Sequence, residues 1–186
     1  MTAFSGSALR ELDATSHDNA ARLVPGATVD LAILGDGYFV VRDLVTGEQY
    51  ATQGGHFTID ENGYLSTGTG ARLQGGIGGG PCAVGDLQIS AAGLPPGAIP
   101  ASWMVCYTID EWGRITVQLS DGTYFSCGQV LLQSFQEPRA LISEGHGLYS
   151  NLSAATPLPA LAGPGSNGLG VIQSDALELA GAEDTA

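Results

Sequence analysis

Between Val29 and Gly75 the chain alternates short apolar runs with polar, glycine-centred breaks. The runs are Leu31 to Leu34, Tyr38 to Val41 and His56 to Ile59. The breaks are Gly35-Asp36-Gly37, Thr46-Gly47 and Asp60-Glu61-Asn62-Gly63. Runs this short, bounded by turn formers, have the length of strands and not of core helices. The pattern also repeats. Phe57 to Leu65 and Tyr107 to Ile115 share the order aromatic-Thr-Ile-Asp-Glu-x-Gly-x-aliphatic. Each predicts a hairpin whose turn places Gly63 or Gly113 at the position that favours positive φ. Ile115 to Leu119 then alternates cleanly, and Ser120-Asp121-Gly122-Thr123 predicts a further turn into Tyr124 to Cys127. The fold class read from this pattern is mainly β, antiparallel and hairpin-rich.

Helical periodicity is confined to the ends. Leu9, Leu12, Ala20 and Leu23 recur at roughly helical intervals before Pro25-Gly26, which predicts a short terminal helix. The expected organisation is therefore an N-terminal arm over residues 1–24, a β-domain over 25–162 and a C-terminal arm over 163–186. Within the β-domain, the glycine-rich stretch from Gly75 to Pro100 reads as an irregular connection carrying one short strand, Asp86 to Ser90.

Composition narrows the function classes. With 186 residues, 44% of them hydrophobic and 13% charged, the chain has the material for one domain with a real core. It carries 6 Lys+Arg against 19 Asp+Glu, a formal net charge of −13, and all of its cations are arginines. Such a surface repels phosphate backbones and anionic lipid heads, which argues against nucleic-acid and membrane-surface roles. No apolar run approaches the ~20 residues of a membrane-spanning helix. The N-terminus has neither the basic start nor the apolar stretch of a cleaved secretory signal. Cys82, Cys106 and Cys127 are odd in number and widely spaced, the pattern of small buried hydrophobes and not of a disulfide framework or zinc site.

Nothing in the residue pattern signals catalysis. His17, His56 and His146 have no partner at metal-binding spacing. Asp60 to Gly63 and Asp110 to Gly113 lack the later glutamate of a calcium loop. The glycines from Gly75 to Gly80 are followed by neither Lys-Ser/Thr nor a helix, so they are no phosphate loop. No catalytic, cofactor or metal residue is therefore expected. Most aromatics fall in strands and read as core. Trp103 and Trp112 are the exceptions: Trp112 sits in a predicted turn, where a large ring signals contact with a neighbour. An alternative of another class is a small acidic β-domain binding a ligand such as a polysaccharide on an aromatic platform near Trp103, Tyr107 and Trp112.

The order of the motifs carries a more specific message. Asp30 to Val41 (DLAILGDGYFVV) leads to Tyr50 to Asp60 (YATQGGHFTID), and then to Gly63-Tyr64-Leu65-Ser66-Thr67. Further on, GQVLLQSFQEPRALISEGHGLYSNLSAA runs from Gly128 to Ala155, with Phe135, Pro138, Leu141, Gly145 and Leu148-Tyr149 in fixed spacing. Gly168-Leu169-Gly170, Ile172 and Leu177-Glu178 follow. This succession resembles the β-region and exit strand of the bacterial flagellar hook and basal-body rod proteins. Departures exist: Glu137 stands where the family usually has Asn, and Asp18 with Ala21-Arg22-Leu23 replace most of its N-terminal helix signature. The resemblance implies a non-catalytic structural subunit of the flagellar axial structure, exported without a cleaved signal. Its implied partners are other axial proteins or copies of itself. In the family, lateral β-domain contacts and paired terminal helices build the tube. Since most of the helical part has no counterpart here, the chain by itself is expected to remain soluble without forming long filaments.

Overall fold

Alternation of large apolar and polar residues commits most of the chain to strands, because period-2 side chains can bury one face of a sheet. The structure is a computed structural model that describes residues 26–77, 83–89, 104–158 and 161–175. The expected N-terminal helix, Trp103 and Cys82 lie outside these residues. Among the described residues the chain forms β1 (Thr28–Leu34), β2 (Tyr38–Arg42), β3 (Gln49–Thr52), β4 (His56–Ile59) and β5 (Leu65–Ser66). Next come β6 (Arg72–Ile77), β7 (Val84–Asp86), β8 (Met104–Ile109), β9 (Arg114–Leu119) and β10 (Tyr124–Val130). The last are β11 (Leu132–Gln133), a 3-10 turn at Pro138–Ala140, β12 (Ile142–Gly145), β13 (Leu148–Ser150) and β14 (Val171–Asp175). Every strand pairing is antiparallel.

The main path through the sheet is β12-β13-β3-β2-β6-β5-β4-β1-β14. β6 is its junction. Its first half pairs with β2 and β5 (Leu73 opposite Val41, Arg72 opposite Ser66), and its second half with β10 and β7. From β10 the sheet continues to β9 and then β8. β14 returns along β1 with Asp30 opposite Asp175 and Leu34 opposite Val171. Consequently the first and last described strands lie side by side.

Two apolar clusters sit on opposite faces of β2 and β3. Phe39 and Val41 enter the main core with Phe57, Ile59, Leu65, Leu73, Ile115 and Leu132. Tyr38 and Ala51 turn the other way, into a smaller cluster with Phe135, Ala155 and Tyr149. The Phe39 and Phe57 rings meet edge to face at 5.5 Å, and the Tyr38 and Phe135 rings do the same at the same distance. Burying each such ring contributes about 1.5–3 kcal/mol.

One segment departs from the sequence-based expectation. Gly75 to Ile77 belong to β6 and are not an irregular connection, and the short strand occupies Val84–Asp86 instead of Asp86 to Ser90. Close packing explains the glycines. A Cβ on Gly75 would lie 2.4 Å from the Gln129 carbonyl and 2.9 Å from Leu87, and one on Gly128 would meet Leu87 at 2.9 Å. Leu87 is fully buried over this side-chain-free patch. Glycine therefore serves here as a strand residue of close approach, a use composition cannot separate from flexibility. Past Asp86 the chain still bonds like a strand: Leu65 N–H donates to Leu87 O, and Ile89 N–H to Gly63 O.

Candidate assembly surface

The predicted turn residues form the corners of the domain. In the first T-I-D-E segment, Asp60 N–H donates to Tyr64 O and Gly63 N–H to Asp60 O. The Asp60 carboxylate also accepts the N–H groups of Asn62 and Tyr64 at 2.8 and 2.9 Å. The second segment repeats this: Gly113 N–H donates to Asp110 O, and Asp110 accepts the Trp112 and Arg114 N–H groups at 3.0 and 2.8 Å. Asp121 accepts the Thr123 N–H, which holds its carboxyl below the usual range. Gly35, Asp36 and Gly37 form a corner that receives the C-terminal part of the chain. Gly170 N–H donates to Asp36 O, and Asp36 bridges to Leu169. Gly35 (φ +123°) would put a Cβ 2.8 Å from the Gly170 Cα.

A charge network, not visible from motifs, ties these corners to the sheet. Arg42 donates from Nε and Nη2 to the two oxygens of Asp86 at 3.0 and 2.6 Å, joining β2 to β7. Arg72 reaches Asp60 at 3.2 Å and Asp86 at 3.5 Å, and its guanidinium lies 3.6 Å above the Tyr64 ring. Gln74 adds a bond to Asp86 at 2.7 Å. Burial works against the Asp86 carboxylate, but the bonds from Arg42 and Gln74, the Arg42 charge and the Arg72 bond outweigh it, so the group stays below the usual carboxylate range. The only sequence signal for this network was the rarity of cations: two of six arginines meet here.

What remains exposed is apolar in places. Trp112 is half exposed, its carbonyl accepting from Gln129, with Gly165 close beside its ring. The β2–β3 turn presents Leu44 and Val45, the latter 94% exposed. That turn is locked, because the Asp43 carboxylate accepts the N–H groups of Val45 and Thr46 at 2.7 and 2.8 Å. Among the described residues β12 ends the main path, pairs with β13 alone, and exposes all four of its residues, Ile142 among them. A cavity of about 480 Å³ lies between β3 and the segment after β13, lined among others by Val40, Gln49, Gln133, Asn151, Leu152 and Pro157.

The alternative aromatic platform is not assembled among the described residues. Tyr107 is 4% exposed, inside the core, so it offers no face to a ligand beside Trp112. Burial also pushes the Tyr107 hydroxyl up to about 12. No group of His, Cys, Asp and Glu side chains that could hold a metal occurs among the described residues. Cys106 donates to Gln118 Oε1 at 3.1 Å, and Cys127 is buried. Locked turns and exposed apolar tips suit contact between proteins.

Similarity to known proteins agrees with this geometry. Residues 32–117 match the family described as the flagellar hook protein FlgE/F/G D1 domain. The chain is 29% identical to the flagellar basal-body rod protein FlgG of Bacillus subtilis (strain 168) over 171 residues, 92% of this chain and 58% of the relative. It is 28% identical to the FlgG of Buchnera aphidicola subsp. Baizongia pistaciae (strain Bp) over 150 residues, 80% of this chain and 49% of that protein. The chain thus spans only 49–58% of the length of these relatives. Its antiparallel architecture and the motifs of β1 to β6 at the heart of the matched region agree with this similarity to the flagellar hook and rod proteins.

Proposed function

We propose that the protein is a non-catalytic structural subunit of the bacterial flagellar axial structure, of the rod type, acting at the flagellar basal body beside other axial proteins. The observation that carries this reading is the FlgG similarity running over 92% of the chain, through both the D1-matched residues 32–117 and the Gly128 to Ala155 segment. The physical character of the surface supports it. The corners are locked by carboxylate-to-backbone bonds while Val45, Trp112 and Ile142 face outward, a surface suited to contacts between subunits. Exposed Trp112, set on a turn with no core to fill, is a contact residue in this reading.

The test is the composition of purified hook–basal bodies from the source bacterium, read by mass spectrometry. Peptides of this chain retained through detergent and alkaline washing, together with loss of swimming on gene deletion, are the expected result. A chain found only in the soluble fraction, in cells that swim normally without it, overturns the reading.

A further inference from the structure

The far end of the sheet is a short edge strand with an exposed apolar residue and a carboxylate. Among the described residues β12 pairs with β13 on one side and with no strand on the other, and an edge of this kind can take a further strand. β12 contains neither lysine nor proline. Its register places Ile142 opposite Ser150, and the Ser150 hydroxyl donates to Glu144. Ile142, Glu144 and Ser150 therefore share one face. On β3 nearby, Tyr50 donates to Glu48 at 3.1 Å. Its hydroxyl is pushed up first by that bond and by burial, then by the charges of Glu48, Asp43 and Glu144. The β2–β3 turn and β12 thus both bring carboxylate charge to one phenol, on the face that carries the exposed isoleucine.

Charge selects the occupant. Arg42, on the same hairpin as Tyr50, is committed to Asp86, which leaves Arg139, just before β12, as the exposed cation adjoining this edge in sequence. A second copy pairing its own β12 here would bring another Glu144 and more net negative charge, and like charges across a strand pair repel. A cationic partner gains where a copy loses. The edge is four residues long with a bulge between Ser143 and Gly145, so main-chain bonds alone give little and side chains must supply the selectivity.

We propose that the free edge of β12 takes an extended segment of a neighbouring polypeptide carrying an apolar and a cationic side chain two residues apart. The apolar residue packs on Ile142, and the cation lies among Glu144, Glu48 and Tyr50. Spacing by two follows from strand geometry, since Ile142 and Glu144 sit on the same face. The inference rests on the axial-subunit reading only for the existence of a neighbour. The basal-body test addresses that reading, while the binding test below addresses the edge.

The probe is a fluorescein-labelled peptide of about ten residues, mostly threonine, with one isoleucine and one arginine two positions apart. Matched peptides replace the arginine by glutamate or the isoleucine by serine. Anisotropy titrations with the full chain at low ionic strength should show the arginine peptide binding more than tenfold tighter than the glutamate peptide. Added salt should weaken it. Glu144→Gln should weaken it about fivefold, and Ile142→Ser should also weaken it, each with an unchanged circular dichroism spectrum. Equal affinity for the arginine and glutamate peptides, no saturable binding, or full binding by both variants overturns the proposal. So does sedimentation showing that the chain dimerises and that Ile142→Asp abolishes the dimer, because the edge would then belong to a second copy.

Discussion

The two T-I-D-E turns offer a comparison inside one molecule. Their backbones are near-duplicates: the same aspartate bonds, the same positive φ at Gly63 (+86°) and Gly113 (+75°), and the same onward bond from the glycine carbonyl. Ile89 N–H donates to Gly63 O at 2.8 Å, and Val130 N–H to Gly113 O at 2.7 Å. Their surroundings differ. Asp60 also holds Arg72, Tyr64 lies under that guanidinium, and Gln88 bonds the Asn62 carbonyl. At the second turn, exposed Arg114 stands in place of Tyr64 and Trp112 in place of Asn62, while Glu111 O accepts the Ile172 N–H of β14. The shared residues thus make the corner, and the variable ones decide what the corner is attached to.

The largest expected effect tests the shared part. Gly63→Ala and Gly113→Ala should each cost about 3 kcal/mol in urea denaturation, because a Cβ would stand 2.4 Å from Ile89 O or 2.7 Å from Val130 O on a backbone that already disfavours side chains. Gly122→Ala, equally left-handed but in open space, should cost only about 1 kcal/mol. Equal losses at Gly63 and Gly122 would show that the close approach is unimportant.

The next tests the difference. Asp60→Ala should cost about 2 kcal/mol against about 1 for Asp110→Ala, since both remove a backbone cap but only the first strands part of the Arg72 charge. Identical costs would mean that the Arg72 pair contributes nothing. Tyr107 and Phe57, the matching aromatics, are distinguished by pH. The folded state keeps the Tyr107 hydroxyl neutral up to about 12, whereas the unfolded chain ionises near ~10. The stabilisation is therefore complete below ~10 and is lost as pH rises towards about 12, a loss of about 2 kcal/mol. Tyr107→Phe should lower the alkaline slope by that amount, leaving the part that Tyr50 contributes, with neutral-pH stability nearly unchanged. A slope undiminished by the substitution sinks the assignment. Smallest of all, Trp112→Asn should shift stability by less than about 0.5 kcal/mol, because the ring is half exposed on its turn. A larger loss would make Trp112 a folding residue.

Much of the architecture could be read from the chain because strands and tight turns write themselves locally. Alternation around Phe39, Phe57 and Val117 places the core, and Asp followed by Gly three positions later announces a corner. The β6–β10 junction could not be read this way, because Gly75, Gly76 and Gly128 are defined by what approaches them from elsewhere in the chain. The same holds for Arg42 and Asp86, 44 positions apart, whose pairing no local pattern encodes. The surface was least legible. Trp112 is marked by being a large ring in a turn, but an exposed edge such as β12 differs from a buried strand only by the absence of a partner.

The pairing of β14 with β1 has a mechanical consequence. With Asp30 opposite Asp175, the chain enters and leaves the described domain at one end of two neighbouring antiparallel strands. Tension drawing those two ends apart would load the ladder one rung at a time, from Asp30–Asp175 towards Leu34–Val171, in the weak peeling direction. Tension applied to both ends together against the body of the domain would load β1 and β14 lengthwise, with the β1–β4 pairs sharing the force at once. The domain therefore behaves as a cleat: firm when its two tethers are pulled as one, and quick to open when they are pulled apart.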